Sequence, residues 1–113
     1  MESSKRKVPR FDPVVVDGIR YEQMNRALDH GFKQPGGIIA AIEIESEQTL
    51  WMEQLYTNHY GGLEERDTQD VFVKHLVLDD AGRALLATDT YNRVWSLDLA
   101  TRAVTKVGGP DRL

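Results

Sequence analysis

Residues 37–57 read GIIAAIEIESEQTLWMEQLYT, and in the first part of this stretch apolar side chains occupy every second position. A period of two is typical of a β-strand that packs one face on a core and turns the other to water. The polar residues 46–48 predict a turn, and residues 49–57 predict a second strand. The stretch therefore indicates a β-hairpin whose first strand is half-buried. One alternating set would face the core: Ile38, Ala40, Ile42 and Ile44.

The segments on either side of this hairpin also predict strands. Residues 14–16 and 19–21 flank Asp17-Gly18, a dipeptide that strongly favours a two-residue hairpin turn. Residues 71–78 are apolar on both sides, so we expect a central strand covered on both faces. Short polar turns separate the remaining predicted strands: residues 83–89, 94–99 and 103–107.

One short helix is predicted over residues 22–30, because Met24, Ala27 and Leu28 recur at helical spacing. The connections are short except for residues 58–70, which predict a surface loop. The fold class is therefore mainly β, with about eight antiparallel strands in a meander, arranged as two layers or one curled sheet. Residues 1–10 are expected to form a flexible basic tail, and residues 11–113 a single β-rich domain.

Two segments of the chain are alike. GGIIAAIEIESEQTLWMEQL begins at Gly36, and AGRALLATDTYNRVWSLDL begins at Ala81. Each joins a glycine, an apolar strand, a polar turn and an aliphatic-Trp pair. Their offset of 44–45 residues falls in the range of strand-built repeats such as propeller blades.

The second segment, extended to residues 82–107, resembles one blade of the NHL or PQQ-type β-propellers. The resemblance implies four antiparallel strands and implies nothing about activity. A propeller needs at least about four blades, and this chain has room for two. Either copies of the chain complete a ring, or the likeness reflects the local chemistry of hairpins. The matching residues are Gly82, Asp89, Asn92-Arg93-Val94 and Leu97-Asp98-Leu99.

Charge is distributed unevenly along the chain. The net charge is −4, but residues 1–10 carry +3 and residues 43–80 carry −8. An acidic body repels nucleic-acid phosphates. We therefore expect a basic protein partner, and nucleic-acid contact only through residues 5–10. No stretch is long and apolar enough for a membrane helix, and the chain has no cysteine, so we expect a cytoplasmic protein with no membrane partner.

The sequence shows no catalytic constellation. There is no cysteine, no serine lies in a Gly-x-Ser-x-Gly motif, and no glycine pair begins a phosphate-binding loop. His30, His59 and His75 lie 29 and 16 residues apart, which matches no short metal motif. We therefore expect no enzyme activity, no cofactor and no metal. His75 lies among apolar residues and is expected to be a core or interface histidine.

These observations favour a small non-enzymatic protein-binding module that presents an acidic, aromatic surface. Tyrosine and tryptophan are favoured as interface anchors because they combine apolar area with a polar group. One form of such a module is an immunity or antitoxin-like protein that neutralises a basic toxin. The candidate contact residues are Trp51, Glu53, Tyr56, Tyr60, Glu64 and Glu65.

Two alternatives remain open. A small-ligand-binding protein or enzyme would have a pocket between sheets, with polar groups from Tyr21, His75 and Asp89. The basic tail would instead give weak association with nucleic acid. A chain of this size buries only about 65% of its unfolded surface, and antiparallel sheets leave edges open. We therefore also expect self-association, most simply as a homodimer.

Overall fold

Two four-stranded antiparallel sheets form the protein. The computed structural model describes residues 8–58 and 70–110. Strands pair with their neighbours in sequence, in the orders β1-β2-β3-β4 and β5-β6-β7-β8. The predicted fold class, a mainly β chain with eight antiparallel strands in a meander, is confirmed. The strands are β1 Val14–Val16, β2 Ile19–Gln23, β3 Ile38–Glu43, β4 Gln48–Gln54, β5 Val73–Leu78, β6 Ala84–Asp89, β7 Val94–Asp98 and β8 Val104–Gly108.

The β1–β2 hairpin forms as its turn sequence predicts. Asp17 and Gly18 have φ angles of 53° and 78°. Two successive residues with positive φ make the type I′ turn, whose twist fits an antiparallel pair. The hairpin is in register, with Val16 opposite Ile19.

The predicted helix over residues 22–30 is wrong in its first half. Glu22 and Gln23 extend β2 and pair with β3, so the sheet satisfies their backbone groups. Only a 3₁₀ turn, Ala27–His30, follows. Arg26, just before it, has the left-handed φ of 59° and supplies no side-chain cap, so the helical conformation does not extend further back. Within the described residues, no helix has the length and apolar character to cross a membrane.

β3 is more deeply buried than its alternation predicts. Residues 38–41 are each no more than 2% exposed, so both faces are covered at the start of the strand. Only the far end is open, where Glu43 is exposed and Ile44 is 38% exposed. The expectation of a half-buried strand is therefore wrong for its first four residues. The alternating set expected to face the core is also wrong, because Ile39 and Ala41, and not Ile38 and Ala40, enter the core shared by the two sheets.

β5 is an edge strand, and the expectation of a central strand covered on both faces is wrong. A register shift between Val73 and His75 breaks the alternation that the sequence suggested. Such a bulge inserts one unpaired residue and exchanges the faces beyond it. As a result Val73 and Leu76 both enter the core, whereas Val77 is 38% exposed.

The two sheets share one hydrophobic core. The first sheet supplies Tyr21, Ile39 and Ala41, and the second supplies a larger aliphatic group. Leu85, Ala87 and Leu97 of that group are fully buried, and Val73 and Leu76 join them. Trp95, Leu97 and Leu99 alternate along the sequence, and all three lie on the core side.

Gln23 ties the two sheets together through its side-chain amide. Its Oε1 accepts the backbone N–H of Val73 at 2.8 Å and that of Gly37 at 3.1 Å. Its Nε2 donates to the carbonyl oxygen of Val73 at 3.1 Å. One side chain at the end of β2 thus satisfies both backbone groups at the start of β5.

The 44–45-residue offset aligns two hairpins rather than the two sheets. The first segment forms β3 and β4, the last two strands of the first sheet. The second forms β6 and β7, the middle strands of the second sheet. The four-stranded antiparallel pairing that the blade resemblance implies is present in β5–β8.

Candidate functional site

Two turns meet at one end of the first sheet. The β1–β2 turn holds Asp17 and Gly18, and the β3–β4 turn follows Glu43. The backbone N–H of Ile44 donates to the carbonyl oxygen of Gly18 at 3.0 Å, and Glu43 lies opposite Ile19. The register of β2 on β3 therefore joins turns that are distant in sequence.

This end of the sheet, which we call the acidic end, carries four exposed carboxylates: Asp17, Glu43, Glu45 and Glu47. Arg20 is the basic residue that pairs with one of them. Its guanidinium donates to Glu47 at 3.1 Å and to Glu22 at 2.9 Å. The hydrogen bonds to Glu47 and Glu22 raise the pKa of Arg20, and the hydrogen bond from Arg20 lowers the pKa of Glu47. The negative potential of this end comes from the other three carboxylates: Asp17, Glu43 and Glu45.

An open groove of about 400 Å³ runs between the two turns. Its apolar wall comes from Ile19, Ile44 and Leu50, and its polar rim from Asp17, Glu43 and Glu45. Ile44 is 38% and Leu50 47% exposed, although aliphatic residues of this size are usually buried. The groove therefore combines an exposed apolar wall with a rim of carboxylates.

A β-bulge places Leu50 in this groove. Ala41 lies opposite Trp51, whereas Ile42 lies opposite Thr49, so Leu50 is the unpaired extra residue. A bulge of this kind re-aims a side chain relative to regular alternation. Sequence reasoning did not select Ile44 or Leu50, because their exposure depends on this irregularity and on the meeting of the turns.

The structure describes three of the six contact residues that the sequence predicted. Trp51 and Glu53 are half-buried on β4, and the Trp51 ring lies 5.8 Å from that of Tyr21, with the Arg102 guanidinium 5.2 Å away. Tyr56 is 6% exposed and belongs to the core, so we do not include it in a contact surface. The other candidates lie outside the described residues: Tyr60, Glu64 and Glu65.

A second polar cluster lies inside the fold and centres on Asp89, which is fully buried. Its Oδ1 accepts the backbone N–H groups of Tyr91 and Arg93 at 2.9 and 3.0 Å. Its Oδ2 accepts the Arg93 Nε–H at 2.7 Å and the Trp95 Nε1–H at 3.0 Å. Both oxygens of the carboxylate thus accept hydrogen bonds from residues of the same hairpin, and the carboxylate stabilises the β6–β7 turn.

Aromatic rings enclose the Arg93 guanidinium. Its Cζ lies 5.3 Å from the Tyr56 ring, 5.4 Å from the Trp95 ring and 5.9 Å from the Tyr91 ring. The Tyr56 hydroxyl donates to the carbonyl oxygen of Val71 at 2.6 Å. The spacing Asp89-x-Tyr91-x-Arg93-x-Trp95 is visible in the sequence, but the contribution of Tyr56 from the first half of the chain is not.

The three residues of the ligand-pocket alternative differ in burial. His75 is exposed on the edge strand β5, which corrects the expectation of a core histidine, whereas Tyr21 and Asp89 are buried. A larger open groove, of about 740 Å³, is lined by residues 8–11 and by Pro13, Glu22, Gln23 and Asn25 near the end of β2. Among residues 8–58 and 70–110, no group of three or more histidine, aspartate or glutamate side chains is arranged to hold a metal ion.

Comparison with family models, curated proteins and solved structures finds no match for this chain.

Proposed function

We propose that this protein is a non-enzymatic binding module for a basic protein partner, and that the groove at the acidic end is its contact surface. The observation that carries the proposal is the combination of exposed Ile44 and Leu50 with the carboxylates of Asp17, Glu43 and Glu45 around one groove.

The apolar wall and the carboxylate rim of the groove would bind different groups of a partner. When a partner removes exposed aliphatic side chains from water, the complex is stabilised by about 25 cal/mol per Å² of apolar area. The carboxylates attract lysine and arginine, speed the encounter and suppress acidic partners. The matching segment therefore carries one or two apolar side chains flanked by basic ones.

The partner has a basic surface, and an immunity or antitoxin-like role against a basic toxin is one form of this function. Trp51 and Glu53 are half-buried on β4, and the Trp51 ring packs on Tyr21, so their place in the contact surface stays a prediction. Tyr60, Glu64 and Glu65 stay predictions for the same surface. The proposal places the protein in the cytoplasm, a setting compatible with a chain that has no cysteine.

The experiment begins with affinity co-purification from the native host, and the purified partner is then titrated calorimetrically. Replacing Glu43 and Glu45 together by lysine is expected to weaken binding at least ~100-fold, because two attractions become two repulsions. Ile44→Ser is expected to weaken binding about tenfold through lost apolar contact.

The control is Asp80→Lys, which makes the same charge change as Glu43→Lys or Glu45→Lys alone, at an exposed turn of the second sheet. It is expected to leave affinity within about twofold of the unaltered protein, apart from a small long-range effect that salt removes. Equal losses for Asp80→Lys and the groove variants would show that net charge, and not the groove, determines binding. A purified partner with no basic surface would contradict the proposal.

A further inference from the structure

The outer face of the second sheet, which we call the neutral face, lies opposite the core. Cross-strand neighbours point to the same side of a sheet, so the observed register defines its rows. One complete row crosses all four strands: Val77, Leu86, Ser96 and Thr105. The next row holds His75, Thr88, Val94 and Gly108. Apart from the imidazole of His75, neither row contains an ionisable side chain.

A solvated face of an antiparallel sheet is normally polar and charged. These two rows carry hydroxyl and aliphatic side chains instead. The adjoining row, with Ala84 opposite Asp98, has a carboxylate that accepts the backbone N–H groups of Ala100 and Thr101. Val77 is 38% exposed, Thr105 is exposed, and Leu86 and Val94 are half-buried at the centre. The outer face of the first sheet differs, because Ile38 and Ala40 there are at most 2% exposed and Arg20 pairs with Glu22 on the same side. Of the two outer faces, the neutral face is therefore the less buried at its centre.

We propose that the neutral face is the contact between two copies of this chain in a two-fold symmetric dimer. In such a dimer each patch meets itself. A charged patch would then oppose its own sign, whereas the neutral rows bring no like charges together. The hydroxyls of Thr88, Ser96 and Thr105 both donate and accept hydrogen bonds, so identical groups are able to pair across the axis.

The rest of the molecule disfavours other places for this contact. The chain carries a net charge of −4, and the acidic end concentrates exposed carboxylates that repel a second copy. At the neutral face, two copies approach without repulsion between exposed carboxylates. This dimer is independent of the proposed function, because the acidic end belongs to the first sheet and stays open in it.

The size of the face sets the expected affinity. Four strands spaced about 4.8 Å apart and some six residues long, at about 3.3 Å per residue, span roughly 400 Å² per copy. Standard stable interfaces bury about 800 Å² per partner. We therefore expect a reversible dimer with a dissociation constant in the range of ~10–100 μM, which dilution separates.

The test is sedimentation equilibrium over a concentration series from about 5 μM to about 500 μM, which brackets that dissociation constant. The unaltered chain is expected to shift from its monomer mass of 12.8 kDa toward twice that mass. Val77→Lys places a charge on the neutral face and is expected to raise the dissociation constant at least ~10-fold, and Thr105→Lys, at the opposite edge, is expected to do the same.

The matched control is Val15→Lys, because Val15 is another exposed valine on an edge strand, 57% exposed, but in the first sheet. It is expected to change the dissociation constant by less than about twofold, because a charge far from the contact affects dimer formation only weakly in the presence of salt. Far-UV circular dichroism and a melting curve verify that each variant is folded. A chain that stays monomeric throughout the series overturns the proposal, and so does a dimer that Val77→Lys and Thr105→Lys leave intact. Loss of binding to a basic partner with the dimer unchanged would affect only the proposed function.

Discussion

Arg93 donates its Nε–H to the carboxylate of Asp89 at 2.7 Å, and the Asp89 side chain is completely buried while that of Arg93 is 13% exposed. The pair lies where the two sheets meet, because Tyr56 from the first half of the chain packs within 5.3 Å of the guanidinium. A single ion pair thus joins the geometry of the β6–β7 turn to the packing of the core.

We expect Arg93→Met to destabilise the protein by about 3–5 kcal/mol, since it leaves the Asp89 carboxylate buried without its counterion. Urea denaturation gives the free energy of unfolding. The control is Arg26→Met, whose side chain is 81% exposed and pairs with Asp29, and it is expected to cost less than ~1 kcal/mol. Comparable losses for the two variants would contradict a special role for the buried pair.

Gln23→Leu is expected to lower the free energy of unfolding by about 2–4 kcal/mol. The variant keeps the size of the side chain but removes the partners of the Val73 backbone N–H and C=O, and each unsatisfied buried group costs about 1–3 kcal/mol. Thermal or urea unfolding measures the loss. Gln48→Leu, at an exposed position of β4, is the control and is expected to change stability by less than ~0.5 kcal/mol. An unchanged stability for Gln23→Leu would mean that packing alone holds the sheets together.

Gly37→Ala is expected to cost about 3–5 kcal/mol. Gly37 has a φ of 83°, and an added Cβ would lie 2.5 Å from Cζ of the buried Tyr56 ring, so strain and overpacking combine. Gly82→Ala isolates the backbone term, because Gly82 has a φ of 72° but nothing within 4 Å of the added atom. That control is expected to cost about 1–2 kcal/mol, and a difference near zero between the two melting curves would contradict the close approach.

Stability is expected to fall in acid through Asp79 and Asp98. Backbone N–H groups of Arg83 and Ala84 hydrogen-bond to Asp79, and those of Thr101 and Ala100 to Asp98, and they lower the pKa of each carboxyl. A pKa that is lower in the folded state gives stability that is fully present above the unfolded pKa of about 3.9. That stability is lost as the pH falls through the folded pKa.

The measurement is the melting temperature between about pH 6 and pH 2, a range that spans the unfolded carboxyl pKa. The double variant Asp79→Asn, Asp98→Asn keeps an oxygen acceptor at both turns and is expected to lose less stability on acidification. Asp80→Asn, next to Asp79 in the same exposed turn, is the control and is expected to follow the unaltered protein. Parallel acid profiles for the double variant and the unaltered protein would rule out this source of pH dependence.

The sequence predicted the features that short-range chemistry determines. The Asp17-Gly18 turn, the strands around it and the core side of β7 follow from turn residues and alternation, which act within a few residues. The predicted helix failed because Glu22 and Gln23 pair with β3 residues that lie 18 and 16 positions away in the sequence. The prediction for β5 was wrong because a bulge near Lys74 exchanges the core-facing and solvent-facing side chains beyond it. The alternation of apolar residues in the sequence does not reveal a bulge.

The candidate site was predictable only in its charge. An excess of carboxylates between residues 43 and 80 is a property of the sequence, and Glu43, Glu45 and Glu47 belong to it. The groove requires Asp17, from outside that segment, and the exposure of Leu50, which a bulge produces. The burial of Tyr56 depends on Trp95 and Val71, which lie in the other half of the chain, so an aromatic expected at the surface became part of the core.

The meander connectivity makes each sheet a continuous piece of the polypeptide, and the backbone passes from one sheet to the other once. Cutting the chain between residues 58 and 70 would therefore leave every strand pair intact. Neither piece would keep a complete core, since Tyr21, Ile39 and Ala41 belong to one and Leu85, Ala87 and Leu97 to the other. The molecule thus has the layout of a split reporter, in which two fragments fold only when they associate. The contact of Gln23 with Val73 would then form between separate chains.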